Sequence, residues 1–106
     1  MDLSLLPQMP QQFHTGTFQS SMVPTVKGAI VLVFAQDNKV TARFVYTGQY
    51  MNGITREISL VKQGDVLTGF ANGQSVMLSN IRTENGFLTG NYTTQNPGDF
   101  GTFRAE

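Results

Sequence analysis

Three short stretches decide the fold of this chain: Tyr46-Thr-Gly-Gln-Tyr50, Leu67-Thr-Gly-Phe-Ala71 and Leu88-Thr-Gly-Asn-Tyr92. Each stretch carries a Thr-Gly pair, and the three pairs follow one another at a spacing of 21 residues. The threonine and glycine content predicts only about one such pair by chance, whereas a fixed period of this size is typical of a repeated supersecondary unit. We interpret the period as one hairpin, which consists of a strand, a turn, a second strand and a second turn.

Strand signals continue on both sides of these stretches. Runs of β-branched and aromatic residues alternate with turn pairs such as Asn52-Gly53 and Asn85-Gly86, which favour tight hairpins. Closure of a long meander removes both exposed sheet edges. The sequence therefore predicts an all-β fold, an eight-stranded antiparallel up-and-down meander closed into a small barrel. The strands are expected at residues 13–20, 28–36, 39–50, 54–62, 65–71, 74–82, 87–94 and 100–105.

Length and pattern predict one domain. A chain of 106 residues is long enough to bury one hydrophobic core without a metal or a disulfide. We assign residues 13–106 to the barrel and residues 1–12, which are apolar and interrupted by proline, to an N-terminal arm. No signal peptide is visible, and no segment reaches the ~20 apolar residues of a membrane span. The sequence does not identify the cellular compartment.

Composition limits the partners and the chemistry. Seven basic residues balance seven acidic ones, and charged residues make up only 13% of the chain. Without a basic field, nucleic acid is not expected as the main partner, whereas a weakly charged surface favours a homo-oligomer. The chain has no cysteine, and it has none of the metal, phosphate or dinucleotide motifs. We therefore predict no cofactor and no metal site.

Alternation along the strands selects the candidate ligand-binding residues. Tyr46 and Tyr50 share the inward face of the third predicted strand, and the 21-residue period carries that face onto Tyr92. A tyrosine offers an apolar ring together with a hydroxyl that can orient a ligand. The alternative is structural, since aromatic side chains also fill the gaps that neighbouring glycines leave in a sheet.

Arg56 is the strongest single candidate. Its parity in the fourth strand places it on the same face as Ile54, Ile58 and Leu60, so its charge points toward the apolar interior. A buried guanidinium requires a partner, and a carboxylate-bearing ligand would supply one. The structural alternative is that Arg56 reaches water at the barrel mouth or that the parity slips at a bulge.

The glycines of the repeat and the lone histidine have less direct interpretations. We interpret the three repeat glycines, Gly48, Gly69 and Gly90, as structural residues that permit the curvature of a closing barrel. The alternative is that their missing side chains leave space for a ligand. His14 is the only histidine, and on a terminal strand it is expected at the surface. No set of residues forms a catalytic triad.

Two segments resemble a known superfamily. The Thr15-Gly-Thr-Phe18 segment resembles the Gly-x-Trp opening of the calycins, the lipocalins and avidins, and two of the Thr-Gly stretches are similar to avidin-type strands that carry Thr-Gly-x-Tyr. The long connection 21–27 looks like the loop that flanks the mouth of a lipocalin barrel. The resemblance implies a closed β-meander with one open end and a small apolar ligand. The chain contains no tryptophan, so biotin binding and the family's functional residues are not carried over.

These observations lead to one functional hypothesis and two alternatives. We expect a non-enzymatic barrel that binds a small apolar or amphipathic ligand, with Tyr46, Tyr50 and Tyr92 along the cavity and Arg56 at the mouth. The first alternative is a packed barrel that acts as a protein–protein interaction or structural module, through an outer face or through the loop that contains Met22. The second is a cofactor-free isomerase or cyclase in which His14 or a tyrosine transfers a proton.

Overall fold

The computed structural model describes residues 12–35, 39–49, 52–71, 73–95 and 98–106. Within these ranges the chain forms eight antiparallel strands and no helix, and β8 pairs with β1 to close the barrel. The predicted fold class is therefore confirmed. The arm expected at residues 1–12 lies outside the described residues except for Gln12. The strands are β1 (Gln12–Ser20), β2 (Lys27–Phe34), β3 (Lys39–Tyr46), β4 (Thr55–Gln63), β5 (Val66–Ala71), β6 (Gln74–Glu84), β7 (Phe87–Gln95) and β8 (Asp99–Ala105).

The up-and-down order gives the barrel two ends. The arginine end contains the last residues of β1, β3, β5 and β7 and the first residues of the strands that follow each of them, including Tyr46, Arg56 and Asp99. The lysine end is the opposite one and contains Phe34 and Lys62. Each strand runs from one end of the barrel to the other, and its side chains alternate between the inner and the outer face. Every strand therefore contributes residues to both ends and to the core between them.

The centre of the barrel is filled by side chains. The ring of Phe18 meets the rings of Phe44, Tyr46 and Tyr92 edge-on, with centroids 5.2, 5.1 and 5.8 Å away. Edge-on aromatic pairs at this separation are favourable beyond the apolar area that they bury. Toward the lysine end the core continues with four fully buried aliphatic residues, Ile30, Leu32, Leu60 and Leu78.

Glycines on the inner face make room for this ring cluster. Gly28 pairs with Phe18 on β1 and with Tyr46 on β3, so two aromatic rings meet over a residue that has no side chain. On β7 and β8, Gly90 pairs with Phe103. Aromatic side chains paired with glycines are a known packing device in sheets.

The space beside the repeat glycines Gly69 and Gly90 is occupied. A methyl group placed on Gly69 would overlap the carbonyl oxygen of Ser59 and lie 2.7 Å from a methyl carbon of Leu60. A methyl group on Gly90 would lie 2.7 Å from the ring of Phe103. The structure therefore uses these glycines for close approach of strands and side chains.

The third strand is shorter than predicted. We expected it to continue to residue 50, but β3 ends at Tyr46 because the backbone N–H of Gly53 donates to the Tyr46 carbonyl and closes the turn. The N–H groups of Thr47 and Gly48 donate instead to the carbonyl of Lys27 on β2. Gly48 therefore lies just beyond β3. Ile54, expected inside, lies in the connection and is 45% exposed, so that prediction was wrong.

Candidate functional site

A pocket of about 200 Å³ lies at the arginine end, between the first half of β4 and the chain around the β5–β6 turn. Its apolar lining comes from Phe44, Tyr46, Ile58 and Val76, and its cation is Arg56. The wall is completed by Ala71 and by the polar residues Thr55, Glu57, Gln74, Ser75, Thr94 and Gln95. The pocket is therefore lined by apolar and neutral polar residues together with one arginine and one glutamate.

The pocket follows from an opening between β4 and β5. Among the described residues, these two strands pair only from Val61↔Thr68 to Gln63↔Val66, near the lysine end. At Ser59 they are still close, because Gly69 presents no side chain to the Ser59 carbonyl. Beyond that point Arg56 and Ile58 face the pocket, whereas β3 continues to pair with them on the other side.

Arg56 is positioned by strand parity, as predicted from the sequence. It lies two residues before Ile58 on the inner face of β4 and is half-buried, whereas its neighbours Thr55 and Glu57 are exposed. Its guanidinium carbon lies 5.7 Å from the centroid of the Tyr46 ring, within the range of a cation–π contact.

No carboxylate among the described residues forms an ion pair with Arg56. Glu57 also borders the pocket, but its carboxylate pairs with Arg43 at 3.4 Å on the outer face of β3 and β4. The second ion pair between described residues joins Arg82 to Glu84 at the other end. Arg56 thus faces the pocket without an ion-pair partner in the described part of the chain.

Tyr46 stands between a positive and a negative group. Burial raises the pKa of its hydroxyl, the Arg56 charge acts in the opposite direction, and the carboxylate of Asp99 raises the pKa further. Because the raised pKa lies above the ordinary value for tyrosine, Tyr46 stays protonated and neutral near pH 7. It therefore offers an O–H group and an apolar ring to the pocket.

Behind this pocket a carboxylate joins β1, β7 and β8. The Ser20 hydroxyl donates to Asp99 Oδ1 at 2.6 Å, and the Tyr92 hydroxyl donates to Asp99 Oδ2 at 3.1 Å. Burial raises the pKa of Tyr92 most strongly, and the Asp99 charge and its hydrogen bond with Tyr92 raise it further. Asp99 is thus held by two hydroxyl donors at the point where the barrel closes.

The structure brings some of the predicted site residues together and separates others. Tyr46 and Arg56 both line the pocket. Tyr92 lies in the same ring cluster as Tyr46 but is only 2% exposed, uses its hydroxyl on Asp99 and does not line the pocket. Tyr50 lies outside the described residues, so its role as a ligand contact stays a prediction.

Sequence reasoning did not select Ser20 or Asp99. The sequence predicts that the last strand begins at Phe100, whereas β8 begins one residue earlier, at Asp99. The alternation of buried residues in β8, at positions 101, 103 and 105, extends back to Asp99 and places its side chain on the inner face. Extension of this parity by one step would have identified the carboxylate.

His14 lies near the lysine end, away from this pocket. Its ring meets Phe34 edge-on at 5.4 Å, and its buried Nδ1 has no hydrogen-bond partner among the described residues. His14 is half-buried, whereas the sequence predicted a surface position. The alternative of an isomerase or cyclase named His14 or a tyrosine as the proton-transfer group. His14 lies near the lysine end, whereas Tyr46 and Tyr92 lie near the arginine end and have raised pKa values.

The connection between β1 and β2 is held firmly in place. The N–H groups of Met22 and Val23 both donate to the Ser20 hydroxyl oxygen at 3.0 Å. The Gln19 amide donates to the carbonyls of Pro24 and Val26. The apolar side chains of Met22 and Val23 nevertheless remain 53% and 42% exposed. The connection therefore presents two exposed apolar side chains on a backbone that is anchored by side-chain hydrogen bonds.

Comparisons with known proteins add no family to this geometry. No protein-family model matches the chain, and no curated protein is similar to it in sequence. Within the described ranges, no group of three or more histidine and acidic side chains is arranged to hold a metal ion. The described residues also include no helix with the length and apolar character needed to cross a membrane.

Proposed function

We propose that this chain is a non-enzymatic binding barrel that holds a compact amphipathic anion at the arginine end. The observation that carries the proposal is the half-buried Arg56 guanidinium, which faces a pocket and has no ion-pair partner among the described residues. A partly desolvated charge of this kind gains most from a counter-ion brought by a ligand. A carboxylate fits best, because the planar guanidinium can donate two parallel hydrogen bonds to it.

The size and lining of the pocket define the rest of the ligand. Its volume of about 200 Å³ is below the range of about 300–1,000 Å³ that holds drug-sized molecules. The ligand in this proposal is therefore a carboxylate on a single ring or a short chain. Its apolar part packs against Tyr46 and Ile58, and the Tyr46 hydroxyl supplies one hydrogen bond.

This proposal includes a calycin-like character for the barrel. The support is the coarse architecture, a small barrel of eight antiparallel strands in meander order. The site differs from the sequence-based hypothesis in its depth. The ring cluster around Phe18 fills the centre, so the proposed ligand occupies the mouth rather than a cavity along the barrel axis.

The Arg56→Met variant tests the proposal with benzoate as the probe. Benzoate is added to the full chain, and amide chemical shifts are followed by NMR, with changes expected at Ala71 and Val76. We expect Arg56→Met to weaken benzoate binding by about tenfold or more, because a charge-assisted bidentate contact is lost. Benzyl alcohol, which lacks the charge, should bind both proteins with similar affinity.

The matched control is Arg82→Met. Arg82 is an exposed arginine that pairs with Glu84 at the lysine end and does not line the pocket, so its removal should leave benzoate binding unchanged. If Arg56→Met and the original protein bind benzoate equally well, the assigned role of Arg56 is incorrect.

A second candidate function is protein–protein interaction through the Met22 loop, including contact with a second copy of this chain. The specific observation is the exposure of Met22 and Val23 on a backbone that forms hydrogen bonds with the side chains of Ser20 and Gln19. Neighbouring exposed apolar side chains are typical of interaction surfaces. Replacement of both residues by serine should dissociate an oligomer in native mass spectrometry without changing the benzoate titration. An unchanged mass would count against this function.

A further inference from the structure

The lysine end carries a second and larger depression. It has a volume of about 790 Å³, which falls within the range of small-molecule sites. Its apolar surface is contributed by Phe34, Val40, Val66, Leu67 and Ile81. We call this depression the lysine-end cleft. It is separated from the Arg56 pocket by the filled centre of the barrel.

A β-bulge in β6 helps to form the cleft. The pairing of β6 with β7 shifts between Ser79 and Arg82, so that Asn80 and Ile81 have no partner in the β7 ladder. Asn80 has a φ of 53°, a backbone conformation that asparagine adopts more readily than most residues. Without the bulge, parity would carry the inner face from Leu78 to Asn80. With it, the half-buried Ile81 packs against the core and lines the cleft.

The described residues that line the cleft carry a net positive charge. They include Lys39 and Lys62, and the carboxylate among them is that of Asp65. Both lysines are exposed, and neither forms an ion pair with another described residue. The chain as a whole has no net charge, so two ammonium groups without an ion-pair partner in the described ranges, both beside one apolar depression, are a local feature of this end.

We propose that the lysine-end cleft binds an amphipathic anion whose apolar body is too long for the Arg56 pocket, such as a single-chain carboxylate. The chain of the ligand lies on Phe34, Leu67 and Ile81, and its anionic group lies between Lys39 and Lys62. Flexible ammonium groups suit an anion at the rim, because they reach it from several directions and keep their stems on the apolar surface. This site does not depend on the proposed function of the arginine end.

The test uses decanoate as the probe and the full chain as the protein. Methyl chemical shifts of Leu67 and Ile81 should change during the titration, whereas those of Ala71 and Val76 at the arginine end should not. Decanol, with the same chain and no charge, should bind more weakly than decanoate. No change at Leu67 and Ile81, or changes confined to the arginine end, would refute the proposal.

Two lysine variants test the anionic contact. The double variant Lys39→Gln with Lys62→Gln should weaken decanoate binding by about two- to thirtyfold, the combined effect expected for two exposed ion pairs, and leave decanol binding unchanged. Both side chains are exposed, so the fold should be preserved. Lys27→Gln, which removes an exposed lysine at the arginine end, is the matched control and should change neither titration. Equal decanoate affinity in the double variant and the original protein would contradict the assignment.

Discussion

Replacement of Gly69 by alanine tests whether the repeat glycines are required for strand packing. The new methyl group would overlap the Ser59 carbonyl oxygen on β4 and lie 2.7 Å from Cδ2 of Leu60. Leu60 is fully buried, and the Ser59 oxygen belongs to the backbone, so neither group can move away at low cost. Overpacking of this kind destabilises a core by about 1–3 kcal/mol.

A glycine-to-alanine change also acts on the unfolded chain. It reduces the entropy of the unfolded state and stabilises a protein by about 0.4–1 kcal/mol where the folded backbone accepts alanine. Gly98→Ala isolates this effect, because a methyl group on Gly98 would meet nothing within 4 Å. The difference in free energy of unfolding between Gly98→Ala and Gly69→Ala should therefore equal the packing cost of about 1–3 kcal/mol.

Urea unfolding followed by far-UV circular dichroism measures this difference, and equal m-values in the two variants would show that the unfolded states are comparable. The corresponding loss in Tm is about 4–8 °C per kcal/mol for a domain near this size. If the two variants differ by less than about 0.5 kcal/mol, which is the range of ordinary surface substitutions, then β4 does not pack on Gly69 as described and the structural interpretation of the repeat fails.

Two further predictions concern the groups around Asp99. Burial raises the pKa of Tyr92 in the folded protein. The unfolded chain therefore loses the Tyr92 hydroxyl proton at a lower pH than the folded protein does. Above pH ~10, this group should lower the free energy of unfolding by about 1.4 kcal/mol per pH unit. Tyr92→Phe should remove that part of the alkaline slope in denaturant titrations at pH 9–11, and an unchanged slope would contradict the assigned burial. Ser20→Ala should reduce the free energy of unfolding by about 1–3 kcal/mol, because the Met22 and Val23 N–H groups lose their acceptor. The exposed control Ser59→Ala should cost less than about 0.5 kcal/mol, and equal losses in the two serine variants would refute the role of Ser20.

Local sequence signals were sufficient for the strands and for most of the inner face. Turn residues supplied the hairpins: Asn85 and Gly86 have φ angles of 53° and 84°, which suits the two-residue turn between Glu84 and Phe87. The alternation that placed Tyr92 inside also holds, since Tyr92 is only 2% exposed. Closure was predicted from the strand count, because a meander of eight strands removes both edges when it closes.

Features that depend on a partner strand were not visible in the sequence. The alternation of β3 continues smoothly toward residue 50, but the hydrogen bond from Gly53 to Tyr46 ends the strand earlier. The bulge at Asn80 is defined only by the register with β7. The parity of Arg56 was readable along β4, whereas the opening beside it results from the short ladder between β4 and β5. The burial of Tyr92 depends likewise on Gly101, the residue opposite it on β8.

The hydrogen bond between Ser20 and Asp99 joins residues 79 positions apart in the chain. Among the described residues, seven of the eight ladders connect strands that are neighbours in sequence, and the pairing of β1 with β8 is the one that brings distant segments together. Because the entropic cost of loop closure must be met before such a distant contact contributes, hairpins should form early and this ladder late along the folding pathway. Substitutions at Ser20 should then accelerate unfolding and leave the folding rate nearly unchanged. The contact between Ser20 and Asp99 would therefore determine how long the barrel stays folded rather than how fast it folds.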